Sequence, residues 1–572
     1  RPWLVPLSAT EASPFGPSSQ GWRISEVQDA KAKVNAETSN GEADETVICH
    51  VAADGFEERM VPFPVPSGSY RDLAVVKDGV VWIEVADRGG ELGATRAGVT
   101  GEAPSDVLWH YNLSARHLDK LCERVDTFSV SGDGERLVVR HRDDTIVVPS
   151  SHKVDDDDPA YIRVDLTRLR RTVNPRAEWR QMFDENGRLM ASHYWREDMN
   201  GVDWDSVLNR YRPLVDLCHV VDDLHDILWE TVAELNTSHS YVSASGAAGD
   251  SDMRAGLLGA DVSSGNDGAK VVRVIPGESS DPRAWSPLRA AGVAVTEGDV
   301  IVAVDGRKVG ADGNLGELLE GSAGRVVELT VRRGENERQV AVVPMADEAP
   351  LRYHDWVASR RRYVEEHSGG RLGYLHVPDM VSDGWAELHR QIGEATRHEG
   401  VIADVRFNHG GHTSQLVVER LARRVVGWDY SRWYATADTY PQNAVRGPIV
   451  MVTNQWAGSD GDIVAAATQA MGYAKVIGER SWGGVVGIDG RFDLVDGTSV
   501  TQPRYAGWYG SYGWGVENHG VDPDIVVTVS PEDWEADCDV QLDAAIAECL
   551  RQLDDKPAAT APELPGPAFD RC

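Results

Sequence analysis

Ser459 is the residue of this chain most suited to nucleophilic chemistry. It lies within 447–469, where GPIVMVTN has the apolar, β-branched character of a strand. DGDIVAAATQ then opens with acids and spaces Ile463, Val464 and Ala467 as a helix does. Between the two, Gly458 permits a tight turn. Strand, sharp turn and helix together put a hydroxyl at the mouth of a sheet, beside helix-end N–H groups that favour negative charge. That geometry suits a nucleophile elbow, although AGSDG does not spell G-x-S-x-G and, taken alone, reads more readily as a helix-capping turn. A serine hydroxyl is a weak nucleophile until a base takes its proton. His239, in ELNTSHSYV, is one candidate, and His409, His412 and His519 near glycine-bearing loops are others. A histidine that follows a helix is also commonly a cap or a packed residue.

Two other clusters invite a chemical reading and are set aside. His219, Asp222, Asp223, His225 and Asp226 include an i, i+3 pair that could hold two metal ligands. No HExxH accompanies them, and polar residues belong on the solvated face of such a helix, so no metal site is assigned. The acid run 155–158 reads as a solvated loop and a boundary marker rather than a calcium loop.

The elements that must position Ser459 belong to a large chain. At 572 residues, three to five domains are expected. A formal charge of −34 argues against nucleic acid and anionic membranes as partners and suits a soluble cytoplasmic protein. Six cysteines lie far apart without a CxxC pair, which argues against a disulfide framework or zinc finger. No run approaches the roughly 20 apolar residues of a membrane span. The chain starts at Arg1 with no charged-then-apolar leader and reads as a fragment whose natural start lies upstream.

The fold class expected is multidomain. Residues 1–150 carry short strand candidates (ETVICHV, LAVVKDGVVWIEV, TFSVSGDG, RLVVRHRDDTIVV) between Gly, Asp and Pro turns, as in a truncated all-β propeller or a small sandwich. Residues 165–249 read as helical, with Val207, Tyr211, Leu214 and Cys218, then Val221, Leu224, Leu228 and Thr231, at spacings of three and four. Residues 250–348 form a compact α+β unit. Residues 352–553 alternate strands and helices, an α/β layer that gathers ligands at the C-terminal strand ends. Three glycine-bearing loops, FNHGGHTS, WAGSDGD and SWGGVVG, fall at such ends. The Pro/Ala-rich tail 554–572 reads as disordered.

The α+β unit resembles a PDZ domain. Gly256, Leu257, Leu258 and Gly259 match the loop that receives a peptide carboxylate beside an edge strand, and GDVI with Asp305-Gly306 is the second signature. Peptide capture and a mere packing spacer are both open readings of it. Taken with NPRAEWRQMFDE, GVDWDSVLNRYRPLV, ELNTSHSYV, VRFNHGG, VRGPIVMVTNQWAGSDGDI, GERSWGGVVGI and GWGVENHGVDPDI, the chain resembles the C-terminal portion of tricorn proteases, closely over about 165–550. ENGRLMASHYW departs from the family pattern, a change expected to affect packing rather than chemistry.

The resemblance implies a cytoplasmic, homo-oligomeric serine peptidase, a trimer or hexamer, with peptide substrates, no cofactor and a crotonase-like catalytic subdomain. It assigns Ser459 as nucleophile, His239 as base, and Ser238 and Glu517 as the residues orienting the imidazole. It maps the oxyanion hole to the N–H groups of Gly411 and Asp460. It also makes Asp429 a specificity residue that reaches a neighbouring subunit's pocket and pairs with a basic side chain there. The base would titrate near about 6.5, pulled upward by Glu517. Glu517→Gln is expected to be milder than loss of Ser459 or His239. The nearest alternative is a C-terminal processing protease, whose base lysine follows the nucleophile strand. Here that loop is SWGGVVG, and beyond Ser459 the lysines are Lys475 and Lys556 alone. A noncatalytic PDZ and propeller scaffold is the alternative from another class.

Overall fold

The computed structural model describes residues 1–7, 15, 51–54, 57–86, 105–142, 144–170, 172–244, 253–310, 314–489 and 492–564. The chain divides into two compact units after Thr172. No helix among the described residues is long and apolar enough to cross a membrane.

In the first unit, alternation of side chains builds two four-stranded antiparallel meanders. One runs through Ser69–Val76, Gly79–Val85, Val107–Asn112 and His117–Glu123; the other through Thr127–Val130, Arg136–His141, Asp144–Pro149 and Ile162–Val164. Val81 and Ile83 face a core with Leu108, Leu137, Val139 and Val148, while Val80 and Trp82 face Phe63 and Tyr111. The Gly79–Val85 strand is therefore apolar on both sides. The sheets are not joined into a closed ring among the described residues. The expected boundary at 150 is corrected, because Ile162–Val164 pairs with Asp144–Pro149 and the unit continues to Thr172. The expected strand ETVICHV lies almost wholly outside the described residues. Residues 155–158 form an exposed turn.

The second unit opens with helices Pro175–His193, Trp204–Val215 and Val221–Ala233. Asn174 and Asp203 cap the first two through the amides of Ala177 and Ser206. Asp223 caps the third, accepting from the amides of His219 and Val220 at 2.7 and 3.1 Å. Phe183, Met190, Trp204, Leu224 and Leu228 form the core of this bundle, and Val500 joins it from far along the chain. The register Val242↔Val500 ties the end of the bundle to that distant segment. Leu214, expected on the buried face, is exposed.

The α+β insertion follows, a sheet in which Ala260–Gly265 is an edge strand, paired among the described residues with Gly268–Val274 alone. Buried Asp299 of the GDVI signature holds Arg333 at 2.7 Å.

The last segment is a five-stranded parallel sheet in the order Leu372–His376, Gly400–Asp404, Ile449–Thr453, Ala474–Gly478, Ile525–Val526. Its first three strands are buried at every position, as a sheet covered on both faces requires. Ser382–Ala395, Ser414–Leu421 and Asp460–Met471 cover one face, and Ala349–His367 with Val540–Asp555 the other. The tail is corrected in part. The Val540–Asp555 helix outlasts residue 554, and Ala559 donates its amide to the Arg446 carbonyl at 2.8 Å, so the first tail residues are held rather than loose.

Candidate active site

Ser459 sits between the Ile449–Thr453 strand and the Asp460–Met471 helix, as the apolar run and the glycine foretold. Its backbone is at φ 58°, ψ −119°, a conformation that side chains with a Cβ rarely adopt. The surrounding structure enforces it. The Gly458 amide donates to the Asn408 carbonyl at 3.0 Å, and the Gly461 amide to the Gly458 carbonyl at 2.8 Å. Gly410, at φ 77°, passes so close that a Cβ there would lie 2.6 Å from the Ser459 Cβ. Only glycine serves at that position.

The FNHGG loop runs beside the turn. Met380 holds it from both sides, donating to the Gly410 carbonyl and accepting from His412, each at 2.7 Å. Gly411 lies between these contacts, and its amide meets no acceptor among the described residues. The Asp460 amide, first in its helix, likewise meets none. The Asp460 carboxylate accepts from the Ser414 amide at 3.0 Å and joins the two helices that follow the loops. Two unused N–H groups beside the Ser459 turn are the ingredients of an oxyanion hole.

His239 comes from the bundle. Its segment is fastened by Val242↔Val500, by Thr501 Oγ1, which accepts from the Tyr241 amide at 2.7 Å, and by Asn518, which donates to the Asn236 carbonyl at 2.7 Å. Ser238 Oγ is 3.0 Å from His239 Nδ1 and 2.9 Å from Glu517 Oε2. These contacts determine where the protons sit. A carboxylate only accepts, so the single Ser238 proton goes to Glu517. Ser238 must then accept from Nδ1–H, which leaves the lone pair on Nε2. Nε2 has no hydrogen-bond partner among the described residues, and the Ser459 hydroxyl makes no hydrogen bond to it. Contacts of this kind often close only with substrate bound.

The SWGGVVG loop, expected at a strand end but given no role there, joins the two halves. Asp462, on the helix of Ser459, accepts from the amides of Gly483 and Gly484 at 2.8 and 3.2 Å. Glu517 Oε2 accepts from those of Val485 and Val486 at 2.8 and 3.0 Å, and its Oε1 from Ser238 at 2.7 Å. Trp482 immediately precedes the two clamps, edge-on to His239 at 5.4 Å and against Gly458. Burial pushes the Asp462 carboxyl up to about 6. Burial also lowers His239, and the nearby Glu517 charge, which raises it, is the smaller effect. The expected upward shift of the base is therefore corrected: aromatic rings desolvate the imidazole more than the acid stabilises its cation.

The remaining expected residues fall elsewhere. His409 and His412 are exposed, and His519 pairs with Asp522 at 2.8 Å. Lys475 pairs with Asp524 at 3.3 Å. His225 contacts Thr498 at 3.2 Å. Asp429 is exposed on a ribbon of Gly427–Asp429 with Asp438–Tyr440, opposite Asp438, and meets no cation among the described residues. In the GLLG loop, the Gly256 and Leu257 amides donate to the carbonyls of Leu319 and Met345, both at 2.8 Å, and the Gly259 amide to Glu348 at 3.2 Å. Only the Leu258 amide lacks an acceptor among the described residues. The carboxylate-receiving reading of this loop is corrected, because the chain itself occupies three of its four donors. Trp195, at the end of ENGRLMASHYW, lines a cleft with Asn236, Val485 and Glu517, so this segment borders the site as well as packing the bundle.

Family models match three segments: Peptidase family S41 over 371–527, Tricorn protease PDZ domain over 256–347 and Tricorn protease C1 domain over 175–233. Tricorn protease homolog 1 of Streptomyces coelicolor is 53% identical over 570 residues, 99% of this chain and 52% of that one. Tricorn protease of Thermoplasma acidophilum is 34% identical over 497 residues, 87% of this chain and 46% of that one. A crystal structure of the tricorn protease superposes with a TM-score of 0.81 at 31% identity, over 96% of this chain and 51% of that chain. The chain spans about half the length of the curated relatives it matches.

Proposed function

Because the chain belongs to the tricorn protease family, we propose that it is a serine peptidase that hydrolyses oligopeptides through an acyl-enzyme. Ser459 attacks the peptide carbonyl as His239 Nε2 takes its proton. The Gly411 and Asp460 amides hold the oxyanion, and the imidazole returns the proton to the leaving amine. The observation that carries this reading is the chain Glu517–Ser238–His239, whose proton positions leave the Nε2 lone pair free. The pairing of Lys475 with Asp524 weighs against a lysine base and so against the processing-protease alternative. In this reading the meanders are propeller blades, the α/β segment is crotonase-like, and the enzyme is a cytoplasmic homo-oligomer, a trimer or hexamer, without a cofactor. The PDZ unit acts as a brace, since Arg283–Asp383 and Arg390–Glu278, each 3.4 Å, fasten it to the α/β segment.

Fluorophosphonate labelling tests the proposal. Ser459 is expected to be the labelled residue, at a rate that holds level above about pH 6.5 and falls below it as His239 takes a proton. Asp462 protonates in the same range, since it is pushed up to about 6, and steepens the fall. Absence of label, or a rate level down to pH 5, contradicts a histidine-activated serine.

Asp429 is proposed to set specificity from a neighbouring subunit. Its ribbon is flanked by exposed Val426, Trp433, Tyr434 and Tyr440, large apolar groups of the kind that mark interfaces. A desolvated pair with a basic side chain is worth about 2–4 kcal/mol, or roughly 30- to 1,000-fold. Asp429→Ala is expected to reduce cleavage after Arg while cleavage after Leu or Phe stays within a few-fold. Mixing Ser459→Ala with Asp429→Ala subunits should restore some Arg cleavage. Equal losses on both substrates would remove Asp429 from the pocket.

A further inference from the structure

The loops that carry Gly411 and Ser459 have a second side. There they border a cavity of about 520 Å³ at the C-terminal ends of the Gly400–Asp404, Ile449–Thr453 and Ala474–Gly478 strands, the edge of a parallel sheet where ligands gather. Phe407 comes from the first loop and Trp456 from the second. The Asn454 side-chain oxygen accepts from both their amides, at 3.0 and 3.2 Å, and fixes them relative to each other. Trp356 and Trp534 add two further aromatic walls. These rings are not spent on packing: Phe407 is 40% exposed, Trp456 63% and Trp534 78%. Phe407 is held at φ 59°, a costly conformation for an aromatic residue.

The charges around the cavity do not balance. Buried Arg406 is gripped by Asp404 at 2.7 Å and Asp539 at 2.8 Å, and Arg360 shares Asp539 at 3.1 Å. Two guanidinium groups and two carboxylates cancel there. Glu479, Asp533 and Asp537 remain. Asp537 is 3.7 Å from Arg360, with its side chain 91% exposed, and neither Glu479 nor Asp533 meets a cation among the described residues. Aromatic faces attract a cation through their quadrupoles, and surplus negative charge at the rim adds to that attraction. An anion or a neutral apolar group gains neither.

We propose that this cavity is a substrate subsite that takes a lysine or arginine side chain of the bound peptide, at a position other than the residue before the scissile bond. Its role as a subsite rests on the peptidase reading, because only that reading makes the Gly411 and Ser459 loops the place where a peptide lies. Calorimetric binding of hexapeptide amides to Ser459→Ala protein tests it without turnover. Each peptide carries one lysine, or norleucine of similar length, at a single position. One position is expected to favour lysine about tenfold, within the range for a partly desolvated cation–π contact. Trp534→Ala and Glu479→Gln, each added to Ser459→Ala, should bring that preference to within about two- to threefold. Trp534 is mostly exposed, so its loss leaves the fold intact. A lysine preference for the residue before the scissile bond belongs to Asp429 and survives both substitutions. No lysine preference at any other position, or one unchanged in both variants, overturns the proposal. Because nothing is cleaved, failure of the catalytic assignment registers separately, in the labelling of Ser459.

Discussion

Ser459→Ala is expected to lower kcat by about 10⁴- to 10⁶-fold, and His239→Ala to do the same. Neither change should cost much stability, since neither removes a buried apolar group. The double variant should be no slower than either single one. The base does nothing without a hydroxyl to activate, and the hydroxyl little without the base. Residual activity then comes from the Gly411 and Asp460 amides, which side-chain changes leave in place. Steady-state hydrolysis of fluorogenic peptides by the three variants is the measurement. A His239→Ala enzyme that keeps a substantial fraction of the normal kcat moves the base to His409 or His412, the exposed histidines of the FNHGGHTS loop.

Glu517→Gln should cost about 10²- to 10⁴-fold in kcat, more than an orienting role alone would suggest. The carboxylate takes four donors: the Ser238 amide and hydroxyl and the Val485 and Val486 amides. A glutamine offers one oxygen and turns an NH₂ toward the rest, so donors face a donor. Ser238→Ala breaks only the link to His239 and leaves the hold on Val485 and Val486. It should therefore be the milder change, with KM nearly normal in both. If Ser238→Ala is as damaging as Glu517→Gln, the grip on the 485–486 amides contributes nothing to rate. The Glu517 change thus stays milder than loss of Ser459 or His239, but larger than the orientation of the imidazole alone would make it.

That difference shows what could be read from the residues. The strand, turn and helix around Ser459 were legible because an apolar run, a glycine and a helical repeat stand side by side, and such local signals survive folding. The alternation of strands and helices over 352–553 announced a parallel sheet for the same reason. The clamp on SWGGVVG was not legible. Asp462 and Glu517 act on backbone amides 21 to 32 residues away, and a sequence does not record where N–H groups point. The GLLG loop was recognisable by its letters. Its occupation by Glu348, 89 residues later, was not. The titration of His239 was misjudged because its aromatic neighbour Trp482 arrives from 243 positions along the chain, so the burial that lowers it had no local sign.

The long reach of the Ser238–Glu517 contact has a consequence for biosynthesis. The two residues lie 279 positions apart. A ribosome adding about 5–20 residues per second makes the second roughly 15–55 s after the first. The bundle bearing His239 and the strand leading to Ser459 both leave the ribosome while Glu517 and the register partner Val500 are still unmade. Through that interval the imidazole has neither its acid nor its anchoring strand. A growing polypeptide surrounded by other unfinished polypeptides thus carries a nucleophile that is not yet armed, and the order of translation itself acts as a safety catch.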